Sequence, residues 1–112
     1  MRLNHLNLTV SDVKETVDFL VTYFDMKIGH TRGNGFAVLF DDNGLVLTLM
    51  KGHDVSYPST FHIGFIQESE ERVNEINQRL KEDQFDVESP KRSHAWTFYV
   101  KAPGGFMIEV LS

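Results

Sequence analysis

The feature that most restricts what this chain can fold into is a repeat: the order strand, helix, three strands is written twice along it. Residues 3–10 alternate, with Leu6, Leu8 and Val10 on one face and Leu3, His5, Asn7 and Thr9 on the other, the pattern of a half-buried strand. Ser11 is placed to cap a helix whose apolar residues Val13, Val17, Leu20, Val21 and Phe24 recur at the 3 and 4 spacing of one face. Short apolar runs at 26–31, 36–40 and 45–50 follow, separated by the turn signals Gly33-Asn34-Gly35 and Asp41-Asp42-Asn43-Gly44, and predict a three-stranded meander. After an irregular stretch at 51–58 the order restarts. Residues 60–66 set Phe61, Ile63 and Phe65 on one face and Thr60, His62, Gly64 and Ile66 on the other. Ser69, followed by Glu70 and Glu71, suits a helix start, and Val73, Ile76 and Leu80 form its stripe. A weak strand at 85–88, a stronger one at 95–101, the turn Pro103-Gly104-Gly105 and a closing apolar strand complete the second pass.

The repeat can be set in register. Aligning His5 with His62 and Gly44 with Gly105 pairs Leu45, Leu47 and Leu49 with Phe106, Ile108 and Val110, apolar face on apolar face. The same register puts Thr48 opposite Glu109. Each half thus has two special positions on the face turned away from its helix: His5 and Thr48 in the first, His62 and Glu109 in the second. A lone carboxylate in an apolar strand is costly to bury unless a cation or hydrogen-bond donors meet it.

The predicted class is α+β: two βαβββ modules in tandem, 1–50 and 59–112, within a single domain spanning 1–112. A chain of 112 residues can bury roughly two-thirds of the surface its unfolded form exposes, enough for one core. There is no cysteine, which excludes disulfides, thiolate metal sites and a cysteine nucleophile, and agrees with a cytoplasmic protein. Any metal must be held by nitrogen and oxygen. A net charge of −5 argues against a general nucleic-acid binder, no stretch reaches the ~20 apolar residues of a membrane span, and small molecules are the expected partners.

If the two sheets share a core, their unpacked faces form a cleft, and His5, His62 and Glu109 within it are the ligand set of a facial triad: two imidazoles and a carboxylate around a divalent metal with open positions. Such a metal polarises a substrate oxygen or activates a bound water or oxygen molecule.

The doubled plan, the NHLNLTV opening, the FHIGF strand and the closing APGGFMIEVL together resemble the vicinal oxygen chelate superfamily. That group includes glyoxalase I, fosfomycin-resistance thiol transferases, bleomycin-resistance proteins and extradiol ring-cleaving dioxygenases. The resemblance covers essentially the whole chain. It implies paired modules closing a cleft, a homodimer, and a divalent metal (Fe, Mn, Ni, Co or Zn) on His5, His62 and Glu109, with Glu109 also the catalytic residue. Its alternative implication is a metal-free protein that sequesters a drug or metabolite, as bleomycin-resistance members do. Two departures stand out. Thr48 replaces the further acidic ligand of glyoxalase I-like members, and Ala102 replaces the usual aspartate before the final turn.

Thr48, Trp96, Phe98, Tyr99 and Arg92 are candidates for substrate contact. Trp96 and Phe98 share one face of their strand and Ala95, Thr97 and Tyr99 the other, so one set must face the cleft. Tyr99 and His94 are candidate acid or base groups for a dioxygenase reading, and Lys91, Arg92 and Arg32 could meet an anion. As plain sequence, His30, His53 and His94 read as solvated turn or linker residues, and the Lys91-Arg92-Ser93-His94 stretch as a loop.

Overall fold

Alternation of apolar and polar residues makes β1 (His5–Val10), and a carboxylate starts the helix after it. In this computed structural model, which describes all of residues 1–112, α1 (Val13–Phe24) is capped by Asp12, whose Oδ1 accepts the Glu15 N–H at 2.9 Å. The expected cap, Ser11, lies one residue outside, because Asp12 is the last extended residue and its short side chain reaches the third amide beyond it. The helix buries Val13, Thr16, Val17, Phe19, Leu20 and Tyr23, while Val21 and Phe24 flank that face. It ends at Asp25, left-handed at φ 55, whose N–H returns to the Leu20 carbonyl.

The strands β2 (Lys27–Arg32), β3 (Phe36–Phe40) and β4 (Val46–Lys51) complete a sheet of order β1-β4-β3-β2, with β1 parallel to β4 and the other pairs antiparallel. His30, expected in a turn, lies within β2. Leu8, Val10, Ala37, Leu39, Leu47 and Leu49 are buried on the helix side, each apolar side chain worth roughly 1.5–3 kcal/mol when fully removed from water. The second half repeats the plan with β5 (His62–Ile66), α2 (Glu70–Glu82), β6 (Lys91–Arg92), β7 (Trp96–Lys101) and β8 (Met107–Leu111), in the order β5-β8-β7-β6. Ser69 caps α2 by accepting the Arg72 N–H at 3.1 Å. The helix buries Val73, Ile76, Asn77 and Leu80 and packs on β7 and β8.

Strand pairing reproduces the sequence register. His5 pairs with Val46 and Asn7 with Thr48; His62 pairs with Met107 and Gly64 with Glu109. One strand is misplaced in the sequence reading: residues 85–88 form none, and the short β6 stands at Lys91–Arg92 instead. Two backbone groups of that stretch are bonded to α2. The Phe85 N–H donates to the Leu80 carbonyl at 2.9 Å and the Glu88 carbonyl accepts the Asn77 amide at 2.8 Å. They are not offered to the sheet.

The turn before each last strand shows what the change at Ala102 does. In the first half the Asp41 Oδ1 accepts the Asn43 and Leu45 N–H groups, both at 2.8 Å, and Asp41 N–H donates to the Leu45 carbonyl at 3.2 Å. At the matching place Ala102 keeps only the backbone bond, N–H to the Phe106 carbonyl at 2.8 Å. Gly44 and Gly105 adopt φ +85 and +99, a region glycine favours.

The chain forms two compact units: Met1–Ser56 with Pro103–Gly105, and Tyr57–Ala102 with Phe106–Ser112. Gly104 sits in the first, where an added Cβ would lie 2.7 Å from Val10 Cγ1, 2.8 Å from Thr16 Oγ1 and 2.9 Å from Val10 Cβ. Both neighbours are fully buried. Gly104→Ala is therefore expected to destabilise the fold by about 1–3 kcal/mol through overpacking, read as a lowered urea midpoint at unchanged m-value. No helix is long and apolar enough to cross a membrane.

Candidate functional site

Glu109 lies on β8, between β5 and β7, and faces away from α2 with His62, Gly64, Thr97 and Tyr99. It is only 6% exposed. Four side chains of the second unit meet its carboxylate. Thr97 Oγ1 donates to Oε2 at 2.7 Å, and His94 Nε2 lies 2.6 Å from the same oxygen. The Tyr99 hydroxyl lies beside the carboxylate and interacts with it. On the other oxygen, Oε1, His62 Nε2 stands at 3.5 Å. The His62 ring meets the Tyr99 ring edge-on, with centroids 5.5 Å apart.

The tautomer of His62 follows from its second nitrogen. Nδ1 lies 3.0 Å from the Thr60 carbonyl, which can only accept, so Nδ1 carries a proton and the neutral ring presents a lone pair at Nε2. His5, at the equivalent place on β1, has an oxygen at the same ring nitrogen, though from a side chain: Nδ1 is 3.1 Å from Oδ1 of the neighbouring Asn4. Such an oxygen behind a histidine is the usual support of a metal-binding imidazole. In the neutral form His62 Nε2 and Glu109 Oε1 are two acceptors facing each other, and a cation, either a metal or a second proton on His62, is what relieves that pairing.

Burial pushes the Glu109 carboxyl up, but the bonds from Thr97 and His94, the charge of a protonated His94 and the Tyr99 hydroxyl outweigh it, and the group is held below its ordinary value. Burial, then the Glu109 charge and hydrogen bond, push the Tyr99 hydroxyl up. A carboxyl that is more acidic when folded adds stability that is complete above its unfolded value and is lost as pH falls through the folded one. Thr97→Val removes the first-named donor, so Glu109 is expected to titrate at higher pH, and the stability it adds is expected to be smaller and to be fully lost at a higher pH. Carboxyl NMR titration beside acid unfolding of both proteins measures this.

The other expected residues are distributed as follows. His5 and Thr48 belong to the first unit, where Thr48 Oγ1 donates to Asn7 Oδ1 at 2.6 Å. On β7 the sequence leaves open whether Trp96 and Phe98 or Ala95, Thr97 and Tyr99 meet the binding face; Trp96 turns toward α2, while Phe98 also borders the larger of two depressions in this unit. Trp96 Nε1 donates to Asn74 on α2 at 2.8 Å, and Phe98, two residues on, is buried on the same side. Tyr99 shares the Glu109 face. Arg92 pairs with Glu70 and lies over the Trp96 ring at 5.4 Å, so its guanidinium is already engaged. His94, read from sequence as solvated, has a side chain 56% exposed and is also a partner of Glu109. It sits in the β6–β7 turn, where no periodicity gives a side-chain direction, and its separation of three residues from Thr97 was the one available hint. No three His, Asp or Glu side chains are gathered so as to hold a metal ion. Two depressions are bordered by the partners of Glu109: one of about 420 Å³ beside His94, Lys91, Thr97 and Phe98, and one of about 380 Å³ beside His62, Ser59 and Thr60. Tyr99 and Met107 border both.

The Glyoxalase/Bleomycin resistance protein/Dioxygenase superfamily pattern matches residues 2–110. The chain belongs to this superfamily. Among solved structures, a possible glyoxalase from Bacillus cereus is 61% identical over 100% of this chain and 99% of that one, with a TM-score of 0.97. The fosfomycin resistance protein FosX from Listeria monocytogenes, solved with Mn(II) and 1S,2S-dihydroxypropylphosphonic acid, is 22% identical over 98% and 90%, with a TM-score of 0.83. Lactoylglutathione lyase from Agrobacterium tumefaciens is 16% identical over 98% and 92%, with a TM-score of 0.78. The last two share the superfamily fold with this chain. A comparison with curated proteins gives no match.

Proposed function

We propose that this superfamily member is a small metal-dependent enzyme whose divalent metal is held by His62 and Glu109, with His5 as the third ligand, and which acts on a small substrate through its oxygens. The observation that carries the reading is the facing pair of acceptors, His62 Nε2 and Glu109 Oε1 at 3.5 Å, with the His62 proton committed to Thr60. The donor set of two imidazole nitrogens and one carboxylate oxygen fits Fe, Mn, Ni, Co or Zn. His5 enters from the repeat, which gives it the same strand position as His62, and from its matching Nδ1 contact. When bound, the metal supplies Lewis acidity toward substrate oxygens. The residues of the chain do the rest: Thr60 orients His62, Thr97 orients Glu109, and Tyr99 offers a neutral hydroxyl beside the carboxylate that can donate a hydrogen bond or a proton to a bound ligand. We place the protein in the cytoplasm as a homodimer.

A second reading has its own support. The donors to Glu109 already satisfy a buried carboxylate, so a metal-free pocket that binds a drug or metabolite, with His62 protonated, is physically stable. Metal analysis separates the two. Protein dialysed against Mn²⁺, Fe²⁺, Ni²⁺, Co²⁺ and Zn²⁺ in turn is expected to retain stoichiometric metal in the wild type and to lose it in His62→Ala and His5→Ala. If the wild type keeps no more than these variants, the enzymatic reading fails and sequestration stands. If only His62→Ala loses the metal, His5 is not a ligand.

A further inference from the structure

We infer that His94 is a positioning residue: with Thr97 it holds one oxygen of Glu109, so that the carboxylate offers only its other oxygen to a metal. This deepens, and rests on, the metal-centre reading above. The two oxygens of Glu109 have different surroundings. Oε2 takes two short contacts, Thr97 Oγ1 at 2.7 Å and His94 Nε2 at 2.6 Å. Oε1 is the oxygen that faces the lone pair of His62 Nε2. At 2.6 Å from a carboxylate oxygen, His94 Nε2 is placed as a charge-assisted donor to Glu109. His94 is therefore a donor to Glu109 and not a ligand beside it.

The turn that carries His94 is closed by the Ser93 N–H donating to the Ala95 carbonyl at 2.9 Å, which anchors the backbone next to β7. Thr97 is rooted in β7 itself and is 2% exposed. The carboxylate is thus gripped from the β7 side, and a metal must approach from the β5 side, where His62 stands. A carboxylate that binds through one oxygen uses one coordination position instead of two. The position left open is available to a substrate oxygen. The His94 ring also borders the larger depression of about 420 Å³, whereas His62 borders the smaller one.

The test is Mn²⁺ binding, read by electron paramagnetic resonance of free and bound ion, for the wild type, His94→Ala, His94→Gln and His62→Ala. Loss of an orienting partner of a metal ligand costs about 10–100-fold in affinity, and that is the expectation for His94→Ala. His94→Gln, whose amide N–H can replace the imidazole donor, is expected to restore most of the loss. In the metal-free protein, nitrogen NMR of the histidine rings is expected to show His94 protonated at Nε2. A crystal structure of His94→Ala with Mn²⁺ is expected to show Glu109 bound through both oxygens. Unchanged or tighter binding by His94→Ala, with binding lost in His62→Ala, overturns the positioning role and leaves the metal centre standing. A neutral His94 ring with its proton on Nδ1 also overturns it. If the wild type binds Mn²⁺ no better than His62→Ala, the metal centre itself fails, and this role with it.

Discussion

Glu109→Gln is expected to lower metal affinity by at least about 100-fold while leaving the fold nearly intact, a separation few substitutions at a buried ligand allow. The amide has the shape of the carboxylate. Its oxygen can take the place of Oε2 and accept from Thr97 and His94. Its NH₂ group then falls at the place of Oε1, where it meets the lone pair of His62 Nε2 as a donor meeting an acceptor. The unfavourable facing pair becomes a hydrogen bond worth about 1 kcal/mol, which offsets part of what the lost charge costs. For a metal the same change is prohibitive, because the negative charge is gone and N–H groups occupy the ligand position. Removing that charge also removes one cause of the raised Tyr99 value, so the Tyr99 hydroxyl is expected to ionise at lower pH, though still above its ordinary value of 10.0 because burial is the larger cause. Equilibrium dialysis, thermal unfolding and an ultraviolet titration of the tyrosines read the three effects. Metal affinity equal to wild type would remove Glu109 from the centre.

Phe106→Ala should be the most damaging change to stability. The ring is 1% exposed and meets Tyr57 edge-on, with centroids 6.3 Å apart, while Tyr57 stacks on Phe61 at 4.7 Å. Removing it deletes a large apolar side chain, leaves a cavity and frees the segment that leads into β5. The expected cost is about 3–5 kcal/mol, a large share of the ~5–15 kcal/mol that holds a domain of this size folded. For a chain of this length that is a fall in Tm on the order of 15 °C or more, measured by calorimetry. Phe106→Leu should recover most of it, since much of the volume returns. A shift of only a few degrees in the alanine variant would mean that the aromatic chain through Tyr57 does not support β5.

Much of the fold was legible because periodicity reports which side of an element is buried. Leu8 and Val10, or Val73, Ile76 and Leu80, declare their faces without reference to anything distant. The errors fell where local chemistry competes. Ser11 and Asp12 are both good caps, and only the backbone angles chose Asp12. Residues 85–88 have strand-like composition, yet Asn77 and Leu80 of α2 take backbone groups that a sheet would need. Arg92, read as a loop residue that could meet an anion, is paired with Glu70, a contact across 22 residues that no local pattern encodes.

The site divides in the same way. Sequence alone determined that the chain is a duplicated βαβββ plan, that His62 and Glu109 share the face away from α2, and that Thr48 is the counterpart of Glu109, because strand alternation and an internal repeat are properties of spacing. Tertiary structure decided the rest: that Glu109 is gripped by Thr97 and His94, that Tyr99 shares its face while Trp96 and Phe98 do not, and that the His62 proton is committed to Thr60. These depend on where a turn folds back and on which of two strand faces α2 covers. A contact at 2.6 Å is fixed by distances between side chains far apart in the chain, and spacing along the sequence carries no record of them.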